Sequence, residues 1–424
     1  MGSRDVQTSV STGKRTDWRV LLFFFTLAGV VESQAFGHLG AFTPLFLQQL
    51  QVPRGQIATW TGILAALQFV IGLPLLPFWG IWADRYSRKL IIVRSAYIEG
   101  ILFSVAAFSP NVYVLAVARL LGGFVFGNTG VMLAMLADAT PRKRLGLAVG
   151  IASAGFPLGA SIGPWLGGRV VQGPGIRTLL FGDACLSALM GLVLTLAIHE
   201  QRHILAATAT ARQLLRAALN DIRSSPVIVR LFVLYFVASW GISLATPFVP
   251  ILLQRLYLGP ASQVAGVIGA TLAAGIAMAV TTPLWGRAGD LVGRWRILPT
   301  CLLALSVGLA AEGHSPTLRA LQVAIVAIGL FQGGIAATVI ALLALLAPVE
   351  RRASILNFSL LPTQLSWFVG PICGAALAHV TLRLPFFAGS GVLALAVVLS
   401  ALAGLAVRKS AAIKPDEQMA SRSA

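Results

Sequence analysis

The sequence predicts an all-α membrane protein whose twelve transmembrane helices form two six-helix halves related by an internal repeat. Three observations carry this reading. Hydrophobic residues make up 57% of the 424-residue chain and charged residues only 11%, against roughly 25% charged in a soluble domain. The apolar residues gather into long runs, and a bilayer takes about 20 residues to cross. One loop text also occurs twice: Pro77-Phe-Trp-Gly80-x3-Asp84-x3-Arg88 returns as Pro283-Leu-Trp-Gly286-x3-Asp290-x3-Arg294, an offset of 206 residues (283 − 77). A loop repeated at half the chain length marks a duplicated bundle.

Taken in order, the spans fall at 19–45, 57–80, 90–108, 112–137, 146–170 and 178–198, then 229–254, 262–286, 297–311, 317–347, 353–379 and 384–407. The ninth is short as drawn. Residues 1–18 are a polar tail with no cleavable leader, because the apolar run that follows lacks a small-residue cleavage site and continues as a span. Two bundles, 19–198 and 229–407, are joined by a loop at 199–228, and 408–424 form a polar tail expected to be disordered. Within the loop, residues 209–223 mix Leu and Arg at helical spacing and are expected to lie on the membrane surface as an amphipathic helix.

Charge tests this drawing. With the N-terminus inside, the cytoplasmic segments hold 25 of the 32 Lys and Arg. The outer loops hold six (Arg54, Arg169, Arg177, Arg255, Arg319 and Arg383), and Arg119 lies within the fourth span. Basic residues beside spanning helices stay inside, so both termini are expected in the cytoplasm. The net charge of +18 is spread over short loops rather than gathered on one soluble face, which argues against nucleic acid as a partner. Cys185, Cys301 and Cys373 fall inside apolar segments without metal-ligand spacing, and are read as small core residues, neither disulfides nor ligands.

The first loop copy, Gly80-x3-Asp84-x2-Ser87-Arg88-Lys89, resembles the G-x-x-x-D-x-x-G-R-K signature of the major facilitator superfamily, with Ser87 where the family has glycine. The second copy keeps the glycine as Gly293. Arg119 matches the family's intramembrane arginine. Asp138-x2-Pro141-x-Lys143-Arg144 matches the next inner loop, and Pro348-x-Glu350-Arg351 echoes it. In the fifth span, Gly159-Ala-Ser-Ile-Gly163-Pro164-Trp-Leu-Gly167-Gly168 is similar to the G-x-x-x-G-P-x-x-G-G element of the superfamily's drug:proton antiporters, with a weaker echo at Gly370-Pro371-x2-Gly374. The resemblance covers nearly the whole chain. It implies a monomeric transporter of the bacterial inner membrane that exports drugs or small amphipathic molecules in exchange for protons, with no cofactor or metal. The same fold also serves polar metabolites such as sugars or siderophores, and fold alone does not settle substrate. An enzyme would need a reactive constellation, and the chain has no glycine-rich phosphate loop, His-Glu-x2-His or nucleophile elbow.

Candidate residues follow in three groups. Asp84 and Arg88 are one helical turn apart and Asp138 ends the fourth span on the same surface. The resemblance implies a charge cluster that latches the inner gate, with Asp290 and Arg294 as the second copy and Gly80 and Gly286 where helices approach closely; the plainer reading is a set of basic anchors for the loop. Gly155, Gly159, Gly163 and Gly167 make a smooth stripe suited to close helix packing, and Pro164 can bend the span. The stripe is expected either as a sliding contact between the halves or as simple tight packing.

The buried ionisable groups form the second group, since intramembrane charge is costly and usually functional. Glu32 lies roughly 20 Å into the first span at about 1.5 Å per residue. It is a candidate to carry the coupled proton, to bind a cationic substrate, or to pair with Arg119. Arg119 is expected to hydrogen-bond nearby backbone and to tune an acid. Asp183, near the outer end of the sixth span, is a further proton-coupling candidate. Glu99 is a weaker one, because third spans of the family are peripheral. The third group would line a substrate cavity built from the first, fourth, seventh and tenth spans: Phe36, His38, Asn128, Tyr235, Trp240 and Gln332.

Overall fold

A computed structural model describes residues 16–200, 225–348 and 358–420, together with 213, 216, 220, 222, 223, 355 and 356; for Pro77, Asp84 and residues 406–420 it describes the backbone alone. The first half holds helices Trp18–Gln49, Ile57–Arg85 and Arg88–Ala107, a fourth span in two pieces (Val112–Leu121 and Asn128–Ala139), then Leu145–Gln172 and Ile176–Ala197. In the second half the seventh span runs Pro226–Ala245 and Val249–Leu256, and the eighth Val264–Leu272 and Ile276–Ala288. Arg294–His314, Leu318–Leu346, Leu361–Val380 and Leu384–Ala420 complete it. Ten helical stretches among the described residues are long and apolar enough to cross a membrane. One of them, Ala261–His314, contains both the eighth and ninth spans, which part at Gly293, where φ is 103°. With Leu361–Val380 the helices number twelve among the described residues.

Three boundaries differ most from those expected, and the first is the eleventh helix, which begins at Leu361 where 353 was expected. The ninth helix has 21 residues, because the polar residues at both its ends, Arg294–Arg296 and Glu312–His314, are helical too. The last helix runs to Ala420 where a disordered tail was expected from 408. Most of the 209–223 stretch lies outside the described residues; Gln213, Arg216, Asn220, Ile222 and Arg223 are helical. Of the three cysteines, Cys301 is buried, Cys373 is intermediate and Cys185 is exposed on the helix surface, so only Cys301 belongs to the packed core.

Helix starts follow from local chemistry. Asn111 accepts from the amides of Tyr113 and Val114, and Thr317 from that of Ala320, each satisfying donors that a first turn leaves free. Ser87, the departure from the family signature, is such a cap: its Oγ accepts from Leu90 N at 3.0 Å.

The halves meet through the second span on the eleventh and the fifth on the eighth. Their contacts lie toward the end of the bundle away from the repeated loops. Gly62 is pressed against Pro371 and Ala375, Gly269 against the Pro164 carbonyl, and Gly168 against Ala265. Gln48 donates to Gln254 Oε1 at 2.9 Å and Gln172 to the Gln263 carbonyl at 3.1 Å. At the loop-bearing end, by contrast, Gly80, Gly146, Gly150 and Gly286 have nothing within 4 Å of where a Cβ would stand. Among the described residues, the close contacts between the halves named here lie at the far end. Gly80 and Gly286, expected at close helix approaches, stand in open space.

Candidate functional site

The site is built around a break in the fourth span. The run Gly122-Gly-Phe-Val-Phe-Gly127 leaves the α-helix, with Phe126 extended (ψ 154°) and Gly127 left-handed at φ 90°. Such a break frees carbonyls inside an apolar bundle, where an unmet polar group costs several kcal/mol. The third span meets them. Ser95 Oγ donates to the Val125 carbonyl at 3.1 Å and Arg94 to the Phe126 carbonyl at 3.1 Å. Arg94 lies over the Trp79 ring, 3.4 Å from its centre, a contact that holds a cation within hydrocarbon.

The break also starts a new helix at Asn128. That side chain is buried and donates to Glu32 Oε2 at 2.6 Å. Glu32, 8% exposed, thus sits beside the positive end of a twelve-residue helix. Arg119 does not pair with it. Arg119 Nε donates to the Leu64 carbonyl of the second span at 2.8 Å, and no carboxylate pairs with Arg119 among the described residues.

One and a half turns further along the first span, His38 binds Asp183 of the sixth. Nδ1 lies 3.0 Å from Oδ1 and 2.8 Å from Oδ2, with both side chains 4% exposed. His38 Nε2 donates to the Gly163 carbonyl at 2.8 Å. A carbonyl only accepts, so Nε2 carries hydrogen; one further proton must lie between Nδ1 and the carboxyl. The pair is neutral as a whole, whether written imidazolium–carboxylate or imidazole–carboxylic acid. Asp183, expected near water, is enclosed.

Glu99 of the third span completes the cluster. It is 3% exposed, and the next residue, Gly100, lies against Ala184 and Ala188 of the sixth span. Glu99 Oε1 and Ser187 Oγ are both buried without a hydrogen-bond partner among the described residues. Three carboxyls from three helices therefore share one apolar interior with a single imidazole.

The substrate candidates do not converge on one cavity. Phe36 packs edge-on against Phe103 of the third span, centroids 5.8 Å apart, and His38 and Asn128 are spent within the cluster. Tyr235 is 5% exposed in the core of the second half. Trp240 stacks on Phe236 at 5.9 Å with its Nε1 buried and unpartnered, and Gln332 is half-buried. The glycine stripe is also placed differently from one of its two readings. A methyl group on Gly155, Gly159, Gly163 or Gly167 would overlap Thr26, Ser33, Gln34 or His38, so the stripe packs on the first span inside its own half. The face of the fifth span that meets the other half is the adjacent one, with Pro164 and Gly168.

At the loop face Arg88 pairs with Asp138 at 2.5 Å, and Arg294 pairs with Asp290 one turn before it; the side chain of Asp84 lies outside the described residues. Sequence reasoning missed Glu200, whose carboxylate accepts from Ser87 Oγ at 2.6 Å, Arg88 N at 2.9 Å and Lys89 N at 3.0 Å. It anchors the start of the third span as an anion at a helix N-terminus. Its signal, an acid directly after a span, was there to be read.

Two six-helix halves joined at one end, with buried ionisable groups in their interiors, are the architecture of a membrane transporter. The family model for the Major Facilitator Superfamily matches residues 21–278 and 231–422, and the chain belongs to that superfamily. It is 26% identical over 389 residues to the multidrug resistance protein MdtG of Escherichia coli, covering 91% of this chain and 94% of that protein. Among solved structures it is similar to a bacterial homologue of the human lysosomal transporter Spinster, inward-facing and unoccupied, with a TM-score of 0.73, 16% identity and coverage of 91% and 96%. It is also similar to the nucleoside transporter NupG, with a TM-score of 0.71, 14% identity and coverage of 91% and 98%. These two likenesses speak to the fold alone.

Proposed function

We propose that the protein is a proton-driven exporter of drugs or other small amphipathic molecules, working as a monomer in a bacterial inner membrane with its loop face and both termini in the cytoplasm. The observation that carries the proton is the buried acid cluster. Carboxyls enclosed in an apolar bundle with only one imidazole beside them suit a cargo that removes their charge by binding, and a proton does this without needing space. The likeness to MdtG over nearly the full chain supports the substrate class, and the basic loop face supports the orientation. In this reading the structure, with its halves in contact at the far end, is the cytoplasmic loading state. The Arg88–Asp138 pair belongs to a charge cluster that rearranges when the loop face closes. The contacts of Pro164 and Gly168 with the eighth span must then loosen. Trp240 and Gln332, from the seventh and tenth spans, remain the substrate candidates of the second half, and Glu32 is the acid nearest the fourth-span break.

The test is efflux of ethidium and of a neutral lipophilic dye from proteoliposomes under an imposed pH gradient. Gradient-dependent movement of both unrelated dyes is the expected result. Folded protein that moves neither dye would overturn the drug reading, and a sugar or siderophore flux in the same vesicles would replace it with a metabolite carrier.

A further inference from the structure

We propose that the cavity beside Trp285 is a binding site for small neutral aromatic compounds that carry one hydrogen-bonding group, phenol being the simplest of them. The site lies at the loop face of the second half, apart from the buried acids of the first. It goes beyond the exporter reading, because binding there requires no transport. The cavity holds about 180 Å³ between the end of the eighth span and the tenth. An apolar cavity of about 150 Å³ admits benzene, so one ring with a substituent has the right size.

The space comes from short side chains. The eighth span and its end supply Gly286 and Gly289, and the tenth span supplies Ala337 and Ala341. The matching tryptophan of the first half, Trp79, is packed instead in a core with Val131, Met132 and Met135. The aromatic wall is held in place. Trp285 Nε1 donates to the Leu330 carbonyl at 2.6 Å, and the ring lies 5.2 Å from Phe331, centroid to centroid. A Cβ on Gly334 would stand 3.0 Å from Trp285 Cγ, so the ring is seated against that glycine. Its N–H is spent, and it offers a guest apolar ring surface.

The hydrogen bond to a guest comes from Thr338, which lines the cavity. This residue is 2% exposed, and its Oγ1 is buried without a partner among the described residues. Other helical threonines of the same half satisfy their hydroxyls locally. Thr271, Thr281, Thr282 and Thr300 each donate to the carbonyl four residues earlier. Thr338 does not, so its hydroxyl is left able to donate and to accept. A guest O–H or N–H would return the hydrogen bond that burial has removed.

The charges at the rim favour a neutral guest. Asp290 and Arg294 line the cavity and bond each other, with side chains 61% and 27% exposed. A cation would have to take Asp290 from Arg294, and an anion would have to take Arg294 from Asp290. Either exchange strands one charge beside the cavity, whereas a neutral ring leaves the pair intact.

The experiment uses the full chain in lipid nanodiscs and fluorine NMR of four probes: para-fluorophenol, fluorobenzene, para-fluorobenzylamine and para-fluorobenzoate. A saturable change in the para-fluorophenol signal is expected, with the amine and the benzoate at least about tenfold weaker. Thr338→Val keeps the shape and removes the hydroxyl. It should weaken para-fluorophenol about tenfold and leave fluorobenzene within about twofold. Ala341→Met puts into the cavity the kind of side chain that packs beside Trp79, and should abolish saturable binding of both. Thermal unfolding checks that each variant is folded, and Thr338→Val decides alone if Ala341→Met is not. A wild type that gives no saturable signal with any probe has a cavity for water only, and the proposal falls. It also falls if para-fluorophenol binds folded Thr338→Val and Ala341→Met as it binds the wild type, which would put the compound elsewhere. Tighter binding of the amine or the benzoate than of the phenol would make the Asp290–Arg294 pair the recognising group and overturn the neutral class. No gradient enters the assay, so a failure of dye efflux leaves its result untouched.

Discussion

The fourth and tenth spans hold matching places in the two halves and are built differently. The fourth is broken at 122–127 and carries Arg119 and Asn128, with Arg94 and Ser95 supplied to close its free carbonyls. The tenth is one unbroken helix of 29 residues, Leu318–Leu346, with no charged residue after Arg319. Beneath the repeated loops the difference continues. Trp79 is covered by Arg94 and neighbours the bulky Val131-Met132-x2-Met135 stretch. Its counterpart Trp285 opens on a cavity of about 180 Å³ lined by Asp290, Arg294, Ala337, Thr338 and Ala341. At the loop itself Arg88 reaches across to Asp138, while Arg294 folds back on Asp290 of its own turn. The repeat is kept where chain meets membrane surface, because the same turn, the same aromatic and the same charges solve the same interfacial problem twice. The interiors have parted: the first half gathers Glu32, Glu99, Asp183 and His38, while the second buries a single acid, Glu312, among the described residues and leaves space beside Trp285.

Substitutions in pairs sharpen that contrast. Glu32→Gln is expected to reduce proton-driven uphill efflux at least about tenfold. Glu312→Gln, which removes the buried acid of the ninth span, should leave efflux within about twofold. Equal losses in vesicle assays would erase the asymmetry between the halves. Gly127→Val must force a side chain into Trp79 at a positive φ, and is expected to cost about 3 kcal/mol or more. Gly329→Ala in the tenth span meets its nearest atom at 3.3 Å and should cost less than about 1 kcal/mol. Thermal unfolding in detergent compares the two. The smallest effect belongs to the loops: Ser87→Ala removes a helix cap at about 1 kcal/mol, whereas Ser87→Gly, the family's own residue, should cost only a few tenths. A Gly substitution as damaging as Ala would show that Oγ matters through Glu200 rather than through Leu90.

The spans were legible because apolar runs of bilayer length admit few other readings, and the loops because their charges recur in order. Depth along a helix also placed Glu32 as an enclosed acid, but the same argument put Asp183 near water, and it is enclosed. What sequence could not supply was partnership across the bundle. His38 and Asp183 are 145 residues apart, and nothing in either neighbourhood announces the other. Glu99 was ranked low on the peripheral position of its span, but a peripheral helix still turns one face inward. The glycine stripe told which face of the fifth span is smooth without telling which neighbour it meets, and the adjacent face turned out to be the one between halves. The break at 122–127 had a signal in its three glycines among six residues, which the continuous apolar run around it concealed.

The packing of the fifth span on the first has a consequence for synthesis. His38 and the Gly163 carbonyl that receives its hydrogen bond are 125 residues apart, and Asp183 is made later still. At about 5–20 residues per second, the first span waits in the bilayer for roughly 6 to 25 s before His38 meets the Gly163 carbonyl. During that interval an imidazole later paired within the bundle stands without its partners. A ribosome stalled before codon 163 would strand it there, and degradation of the arrested chain should begin with that helix.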